Sequence, residues 1–168
     1  MKLSAEQIRA LLRDPRGWLA SAFGSGLFPR APGTFGTLTA LPVCWWLGAH
    51  TSLTWYLLIW TLIFAIGCWS ASWVIGTLQV EDPGVVVIDE WVGMALTWLP
   101  VAYWPGPHSQ LLWLGPAFLI FRVCDIAKPW PASWADQKLH GGFGAMFDDV
   151  LAGVWAALLV LAGLYLLG

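Results

Sequence analysis

Residues 53–78 read LTWYLLIWTLIFAIGCWSASWVIGTL and contain no charged side chain. A helix that crosses a bilayer needs about 20 consecutive apolar residues, and this stretch exceeds that length. The uncharged region extends further still, because no Asp, Glu, Lys or Arg occurs between Ala31 and Val80. We therefore expect the lipid bilayer to be the solvent for this part of the fold.

The rest of the chain has the same character. Of its 168 residues, 58% are hydrophobic and only 11% are charged, whereas a soluble domain carries about 25% charged residues. Apolar runs of this kind predict an all-α, polytopic helical membrane protein. About five apolar segments are predicted, at residues 35–49, 53–78, 91–103, 110–124 and 149–167.

The first 30 residues differ from this bundle. Charged residues interrupt them before any apolar run develops, which argues against a cleaved secretory signal. Ser4 and Gln7 have the spacing of a capping box, which predicts a short amphipathic helix over residues 4–13 that lies on the membrane surface. We expect one membrane-embedded domain over 1–168, with 1–30 as an interfacial segment and 31–168 as the helical bundle.

The distribution of charge predicts the orientation. If every apolar segment crosses, the N-terminus and the loops near 79–90 and 125–148 share one face, and these regions hold every charged residue except Arg122. The positive-inside rule makes this face cytoplasmic, so the predicted location is the inner membrane with the charged face in the cytoplasm. The basic residues that support this orientation are Arg9, Arg13, Arg16, Arg30, Lys128 and Lys138.

Carboxylates are concentrated in two similar motifs. Residues 87–93 read VIDEWVG and residues 146–153 read MFDDVLAG, so each motif has an acidic pair whose Asp89 or Asp149 is followed four residues later by a glycine. On a helix, residues i and i+4 share a face, and glycine allows a neighbouring helix to approach closely. We therefore expect Gly93 and Gly153 to let two helices bring both acidic pairs together.

Such a group of acids requires a cation. Between residues 81 and 149 there are eight carboxylates against three basic side chains. An oxygen-only site favours a hard cation, and Mg²⁺ binds through a few carboxylates while it keeps waters for a phosphate. The predicted metal ligands are Asp89, Glu90, Asp148 and Asp149. The alternative is that the acids cap helix N-termini, where the helix dipole favours them.

Two basic residues flank another acid near the end of the fourth segment. On a continuous helix, Arg122, Asp125 and Lys128 would recur on one side, and two cations beside a carboxylate suit a phosphate held next to a metal. The alternative is that Arg122 and Lys128 neutralise Asp125 or contact lipid headgroups. The glycine-rich residues 24–37 precede the first segment and could present backbone N–H groups to phosphate, although they match no P-loop.

Together, these motifs resemble the bacterial phosphatidylglycerophosphatase A family from about residue 24 to the C-terminus. The resemblance rests on residues 29–37, 88–93, 121–131 and 141–153, with mild departures at Thr37, Cys124 and Ala145. It implies a Mg²⁺-dependent phosphatase of the inner membrane that converts phosphatidylglycerophosphate to phosphatidylglycerol. The positions that match the family motifs are Asp82, Asp89, Glu90, Asp125, Asp136, Asp148 and Asp149, with Arg122, Lys128 and Thr34.

We therefore expect an enzyme whose partners are this phospholipid and the membrane, without nucleic acid; the oligomeric state is open. Asp89, Asp125 and Asp149 are the predicted catalytic residues, with Asp125 as a further ligand, a general base or a nucleophile. Arg122, Lys128 and Thr34 are the predicted phosphate contacts. Two other classes remain: a small cation channel or transporter, and a non-catalytic membrane subunit.

Overall fold

The computed structural model describes residues 3–105 and 109–167. These residues contain helices and no strand, which confirms the prediction of an all-α fold. Short 3₁₀ turns lie at Ser25–Leu27 and Gln110–Trp113. The α-helices of the described residues are α1 (Ala5–Arg13), α2 (Pro15–Ala20), α3 (Pro32–His50), α4 (Leu53–Leu78), α5 (Ile88–Tyr103), α6 (Leu114–Ala127), α7 (Ala132–Lys138) and α8 (Gly141–Leu167).

Each predicted apolar segment is helical, in α3, α4, α5, α6 and α8. Three helical stretches in the described residues are long and apolar enough to cross a membrane, namely Leu53–Leu78, Gln110–Ala127 and Gly141–Leu167. Helix α5 has 16 residues, which at about 1.5 Å per residue gives roughly 24 Å, less than the hydrocarbon thickness of about 30 Å. Membrane crossing by α3 and α5 stays a prediction.

The N-terminal segment packs on the bundle. Helix α1 begins with the predicted capping box, in which the Gln7 N–H donates to Ser4 Oγ at 3.2 Å and the Ser4 N–H donates to Gln7 Oε1 at 2.9 Å. Helix α2 packs against α4, and the Arg16 guanidinium lies 4.6 Å from the centre of the Trp73 ring. The position of α1 on a membrane surface stays a prediction.

The five longer helices alternate in direction. Helices α3, α5 and α8 begin at one end of the bundle, where Gly33 of α3 lies beside Glu90 of α5. Helices α4 and α6 run the opposite way, since the Tyr56 hydroxyl of α4 donates to the Ala95 carbonyl of α5 at 3.0 Å. Trp113, in the 3₁₀ turn directly before α6, lies against Gly163 near the end of α8. Because of this alternation, the charged segments that join the helices gather at one end.

Apolar side chains fill the interior beneath that end. Trp98 and Phe121 are fully buried, and Phe121 lies against Gly93, one helical turn below Asp89. Large apolar side chains also cover the outside, such as Leu62 at 61% exposure and Leu119 at 62%. Extensive exposed apolar surface suits a protein surrounded by lipid rather than water.

Candidate active site

A polar cavity of about 420 Å³ lies where α3, α5 and α8 begin and α6 ends. Of the predicted site residues, Thr34 does not line this cavity. The two residues before it, Pro32 and Gly33 in the first turn of α3, form that part of the wall. The predicted residues that line the cavity are Asp82, Asp89, Glu90, Arg122, Asp125, Lys128, Asp136, Asp148 and Asp149.

Helices α5 and α8 make a close contact at the two predicted glycines. A Cβ atom on Gly153 would lie 2.5 Å from the Gly93 carbonyl oxygen, and one on Gly93 would lie 2.8 Å from the Asp149 carbonyl oxygen. Only hydrogen atoms at these positions allow the two backbones to come this close. The predicted close approach of the two helices at these glycines is confirmed.

Three carboxylates converge at this contact. One ligand oxygen from each of Asp89, Glu90 and Asp149 lies within 4.8 Å of the other two. Asp149 is 4% exposed, and Asp89, Asp125 and Asp148 act electrostatically on its carboxylate. Buried carboxylates so close together repel one another unless a cation or a bound proton neutralises them.

The hydrogen bonding of these acids also fits a cation. Glu90 Oε2 and Asp149 Oδ2 are buried and have no hydrogen-bond partner among the described residues. Buried polar atoms of folded proteins are almost always paired with protein, water or an ion. Unpaired carboxylate oxygens are the donor set that a hard divalent cation prefers, so the residues present fit Mg²⁺.

Asp148 faces a different partner from Asp149. Lys128 donates to Asp148 Oδ2 at 2.6 Å and also to Asp136. Burial disfavours the ammonium, but the hydrogen bonds to Asp136 and Asp148 outweigh it and raise the pKa of Lys128 above its usual value. Asp148 Oδ1 is buried without a partner among the described residues. Three of the four predicted metal ligands therefore cluster, while the fourth is held to one side by Lys128.

Arg122 connects the acids of α5 and α6. Its Nη1 donates to Asp125 Oδ2 at 2.5 Å and lies 3.8 Å from Glu90 Oε1, while its Nε is buried without a partner among the described residues. Arg122 thus neutralises Asp125, as the alternative expected, whereas Lys128 pairs with Asp136 and Asp148 instead. Arg122 also lines the cavity, where a guanidinium suits an anion such as phosphate.

The sequence interpretation of Lys128 needs one correction. Helix α6 ends at Ala127, and Lys128 adopts a left-handed backbone conformation with φ of 43°. The row of Arg122, Asp125 and Lys128 along one helix face is therefore broken after Asp125. Lys128 reaches α7 and α8 instead. Pro129 was the signal in the sequence that the helix ends at this point.

The helix-capping alternative explains only one of the acidic pairs. Asp89 and Glu90 lie in the first turn of α5. Helix α8 begins at Gly141, so Asp148 and Asp149 lie about two turns inside it and its first turn holds no acid. The dipole effect falls off within the first turn, so it does not account for these two buried carboxylates.

Two features of the cavity were not among the predicted site residues. Gly33 is one, since a Cβ there would lie 2.2 Å from Glu90 Oε1 and 3.1 Å from Arg122 Nη1; Pro32-Gly33 before an apolar run was its available signal. The other is the lining pair Glu81 and His140, whose Oε1 and Nδ1 atoms lie 3.7 Å apart.

Comparison with known proteins finds relatives over most of the chain. The family model of phosphatidylglycerophosphatase A matches residues 18–164. The chain is 40% identical to phosphatidylglycerophosphatase A of Escherichia coli strain K12, with 89% of this chain and 83% of that protein covered. It is 37% identical to the Haemophilus influenzae protein of the same name, with 90% of each covered.

A third relative carries a different name. The chain is 35% identical to a putative phosphatidylinositol-3-phosphatase of Bacteroides thetaiotaomicron, with 89% of this chain and 94% of that protein covered. No solved structure matches the chain. The family model covers most of the chain, including every residue of the acidic cavity, and this protein therefore belongs to the phosphatidylglycerophosphatase A family.

Proposed function

We propose that this protein hydrolyses the terminal phosphomonoester of phosphatidylglycerophosphate to phosphatidylglycerol and inorganic phosphate, with Mg²⁺ as cofactor. The observation that carries the proposal is the cluster of Asp89, Glu90 and Asp149 oxygens within 4.8 Å of one another, in a cavity that Arg122 also lines. The names of the Escherichia coli and Haemophilus influenzae relatives support the substrate.

Asp89, Glu90 and Asp149 would hold the metal, and Asp148, whose Oδ1 has no partner among the described residues, lines the same cavity. When bound, Mg²⁺ supplies Lewis-acid stabilisation of the negative charge on a phosphoryl group. Lys128 acts as a positioning residue in this proposal, because its bond to Asp148 fixes that carboxylate.

Arg122 would bind the phosphate. Its guanidinium would donate to a phosphate oxygen in the cavity that Arg122 lines, while Nη1 stays on Asp125, which restrains the guanidinium in one orientation. The first turn of α3 adds to this attraction, because Pro32 and Gly33 line the cavity and a helix N-terminus carries partial positive charge.

Asp125 would be the general base. A water oxygen attacks phosphorus, its proton passes to Asp125, and the bond between phosphorus and the glycerol oxygen breaks. The departing oxygen keeps the bonding pair and takes a proton from solvent. The Arg122 bond orients the Asp125 carboxylate for this step, since a restrained base loses less entropy on the way to the transition state.

The acyl chains of the substrate would stay in the bilayer while its headgroup enters the cavity. We propose that all five longer helices cross and that the cavity opens to the cytoplasm, where the positive-inside rule puts the basic segments. A cation channel is a weaker proposal, because a pathway needs polar groups through the span, and fully buried Trp98 and Phe121 occupy the space below the acids.

The test is phosphate release by the purified protein in mixed micelles, with Mg²⁺ or with EDTA. We expect Mg²⁺-dependent release from phosphatidylglycerophosphate, lowered on the order of 100-fold in Asp89→Asn and Asp149→Asn. Glu6→Gln removes an exposed charge from α1 and is the matched control, with expected wild-type activity. Full activity in EDTA would contradict the metal role, and full activity in both Asn variants would contradict the site.

The Bacteroides relative suggests a second substrate to test in the same assay. Its name specifies phosphatidylinositol 3-phosphate, which is also a phosphomonoester on a membrane lipid. The same assay with this lipid separates the two activities. Faster hydrolysis of phosphatidylinositol 3-phosphate would retain the phosphatase reaction and replace the proposed substrate.

A further inference from the structure

An apolar groove lies on the outer face of the bundle beside α4, α5 and α8. It consists of two adjoining cavities of about 230 and 300 Å³, and Leu96 lines both of them, so they form one continuous depression. We call it the α5 groove. Representative residues of its wall are Leu57 and Trp60 of α4, Leu96 and Tyr103 of α5, and Val150 and Leu158 of α8.

The helix packing explains why this face is concave. Helices α4 and α5 each pack extensively on α8 but touch each other much less. Close approach at Gly67, where a Cβ would lie 2.4 Å from Met146 Cε, holds α4 on α8, and the contact of Gly93 with Gly153 holds α5 there. The gap left between α4 and α5 is the upper part of the groove.

The groove begins beside the acidic cavity. On α5, Asp89 is followed at helical spacing by Val92, Leu96 and Tyr103, and these residues form one stripe along the helix. Asp89 lines the acidic cavity, and the other three line the groove. On α8, Val150 lines the groove directly after Asp149. The acidic cavity therefore lies next to the end of the α5 groove that is nearest the start of α5.

The length of the groove matches one leaflet of a membrane. From Val92 to Tyr103 the helix advances 11 residues, or roughly 16 Å at about 1.5 Å per residue. The acyl chains of one leaflet fill about 15 Å, half of a hydrocarbon core of about 30 Å. A phospholipid whose phosphate lies in the acidic cavity would extend its chain along the whole groove.

We propose that the α5 groove binds one acyl chain of the phospholipid whose phosphate occupies the acidic cavity. The inference rests on the proposed function, since it assigns the apolar part of the same substrate. The acidic cavity, which Arg122 lines, would bind the anionic headgroup. The α5 groove, which Leu96 lines, would bind the apolar chain. The groove then selects for chain length and holds the phosphate in register with Asp125.

The first experiment compares two substrates with one headgroup, dipalmitoyl and dihexanoyl phosphatidylglycerophosphate, in mixed micelles of fixed composition. Leu96→Trp fills the middle of the groove, and Val154→Phe narrows it from α8. We expect each variant to lower kcat/KM for the long-chain substrate about 10-fold and to leave the short-chain substrate unchanged. Leu159→Trp, on the exposed face of α8 outside the groove, is the control and should change neither.

Equal loss with both substrates, or no loss with either, would overturn the proposal. An altered oligomeric state of Leu96→Trp on size exclusion would also overturn it, because the groove would then be a subunit interface. If the wild type hydrolyses neither substrate, the proposed function fails. A binding measurement then tests separately whether the α5 groove holds an acyl chain.

That measurement uses phosphatidic acid with a diazirine on one acyl chain, irradiated with the wild-type protein in the presence of Mg²⁺. Phosphatidylcholine with the same chain is the control, because its headgroup is no phosphomonoester. We expect crosslinks from phosphatidic acid to be enriched on Leu96 and its neighbours in the groove and lost in Leu96→Trp. The same crosslinking pattern from both lipids would mean ordinary contact with bilayer lipid and would overturn the proposal.

Discussion

At the scale of single residues, the site depends on which atoms each acid faces. Asp148 and Asp149 are neighbours in sequence, but Asp148 bonds to Lys128 whereas Asp149 joins Asp89 and Glu90. Successive helix residues point about 100° apart, since a turn contains 3.6 residues. The two acids of the pair therefore have different partners in the cavity, and only Asp149 belongs to the carboxylate cluster.

Gly33 allows a prediction at this scale. In Gly33→Ala, the new methyl group would lie 2.2 Å from Glu90 Oε1 and 3.1 Å from Arg122 Nη1. Both atoms end flexible side chains, so we expect the fold to survive while Glu90 and Arg122 move. A displacement of about 1 Å at a reacting centre costs up to about 100-fold in rate. Phosphate release should fall by at least about 10-fold while Tm in detergent stays within a few degrees.

Gly84→Ala is the matched control for that experiment. Gly84 also lines the cavity, but its Cβ would make an ordinary 3.7 Å contact with Pro32. We expect near-normal release from Gly84→Ala. Equal activity in both variants would show that the position of Glu90 and Arg122 does not limit the reaction.

At the scale of helices, the contact between α5 and α8 assembles the site. The Cβ of Gly153→Ala would meet backbone atoms of Gly93, at 2.5 Å from the carbonyl oxygen and 2.9 Å from Cα. Backbone cannot rotate away as a side chain can. The two helices must separate, and the carboxylates one turn above move with them.

We therefore predict that Gly153→Ala destabilises the protein by about 1–3 kcal/mol through overpacking. This cost must exceed the gain of up to about 1 kcal/mol that alanine brings to a helix. Thermal unfolding in detergent measures the net effect as a lower Tm, and phosphate release should fall with it.

Gly115→Ala provides the comparison within the bundle. Nothing lies within 4 Å of a Cβ at Gly115, so only the intrinsic helix preference applies and Tm should stay the same or rise. A Tm for Gly153→Ala equal to that of Gly115→Ala would mean that the close approach of α5 and α8 is not required for stability.

At the scale of the whole molecule, the two ends of the bundle differ in charge. The acidic cavity and its basic partners lie at the end where α3, α5 and α8 begin. The opposite end, around Ser52 and Trp104, carries no Asp, Glu, Lys or Arg. Such asymmetry sets orientation in a membrane through the positive-inside rule.

The predicted orientation is tested by cysteine labelling in intact bacterial cells. Cys44, Cys68 and Cys124 are first replaced by alanine, and a single cysteine is then introduced as Ser52→Cys or Gln137→Cys, both at exposed positions. A membrane-impermeant maleimide should label Ser52→Cys in intact cells and Gln137→Cys only after lysis. The reverse pattern would place the acidic cavity outside the cytoplasm and contradict the proposed orientation.

The helical prediction held because it depended on local properties of the chain. Uncharged runs such as residues 53–78 can satisfy their backbone in lipid only as helices, and a glycine four residues after an acid predicts a close helix contact in any bundle. The tryptophans at segment ends were less predictable. We would expect such residues to anchor at the interface, and Trp130 is 75% exposed, but Trp91 is buried and donates to Thr39 Oγ1 at 3.1 Å.

By itself, the sequence determined the all-α fold, the apolar helices and the set of acids at one end, because hydrophobicity and spacing are properties of single segments. Only the tertiary structure decided that Asp89, Glu90 and Asp149 meet while Asp148 turns to Lys128. It also decided that α4 and α5 leave a groove above α8. These features depend on where helices end and how they rotate against one another, which packing between distant segments controls.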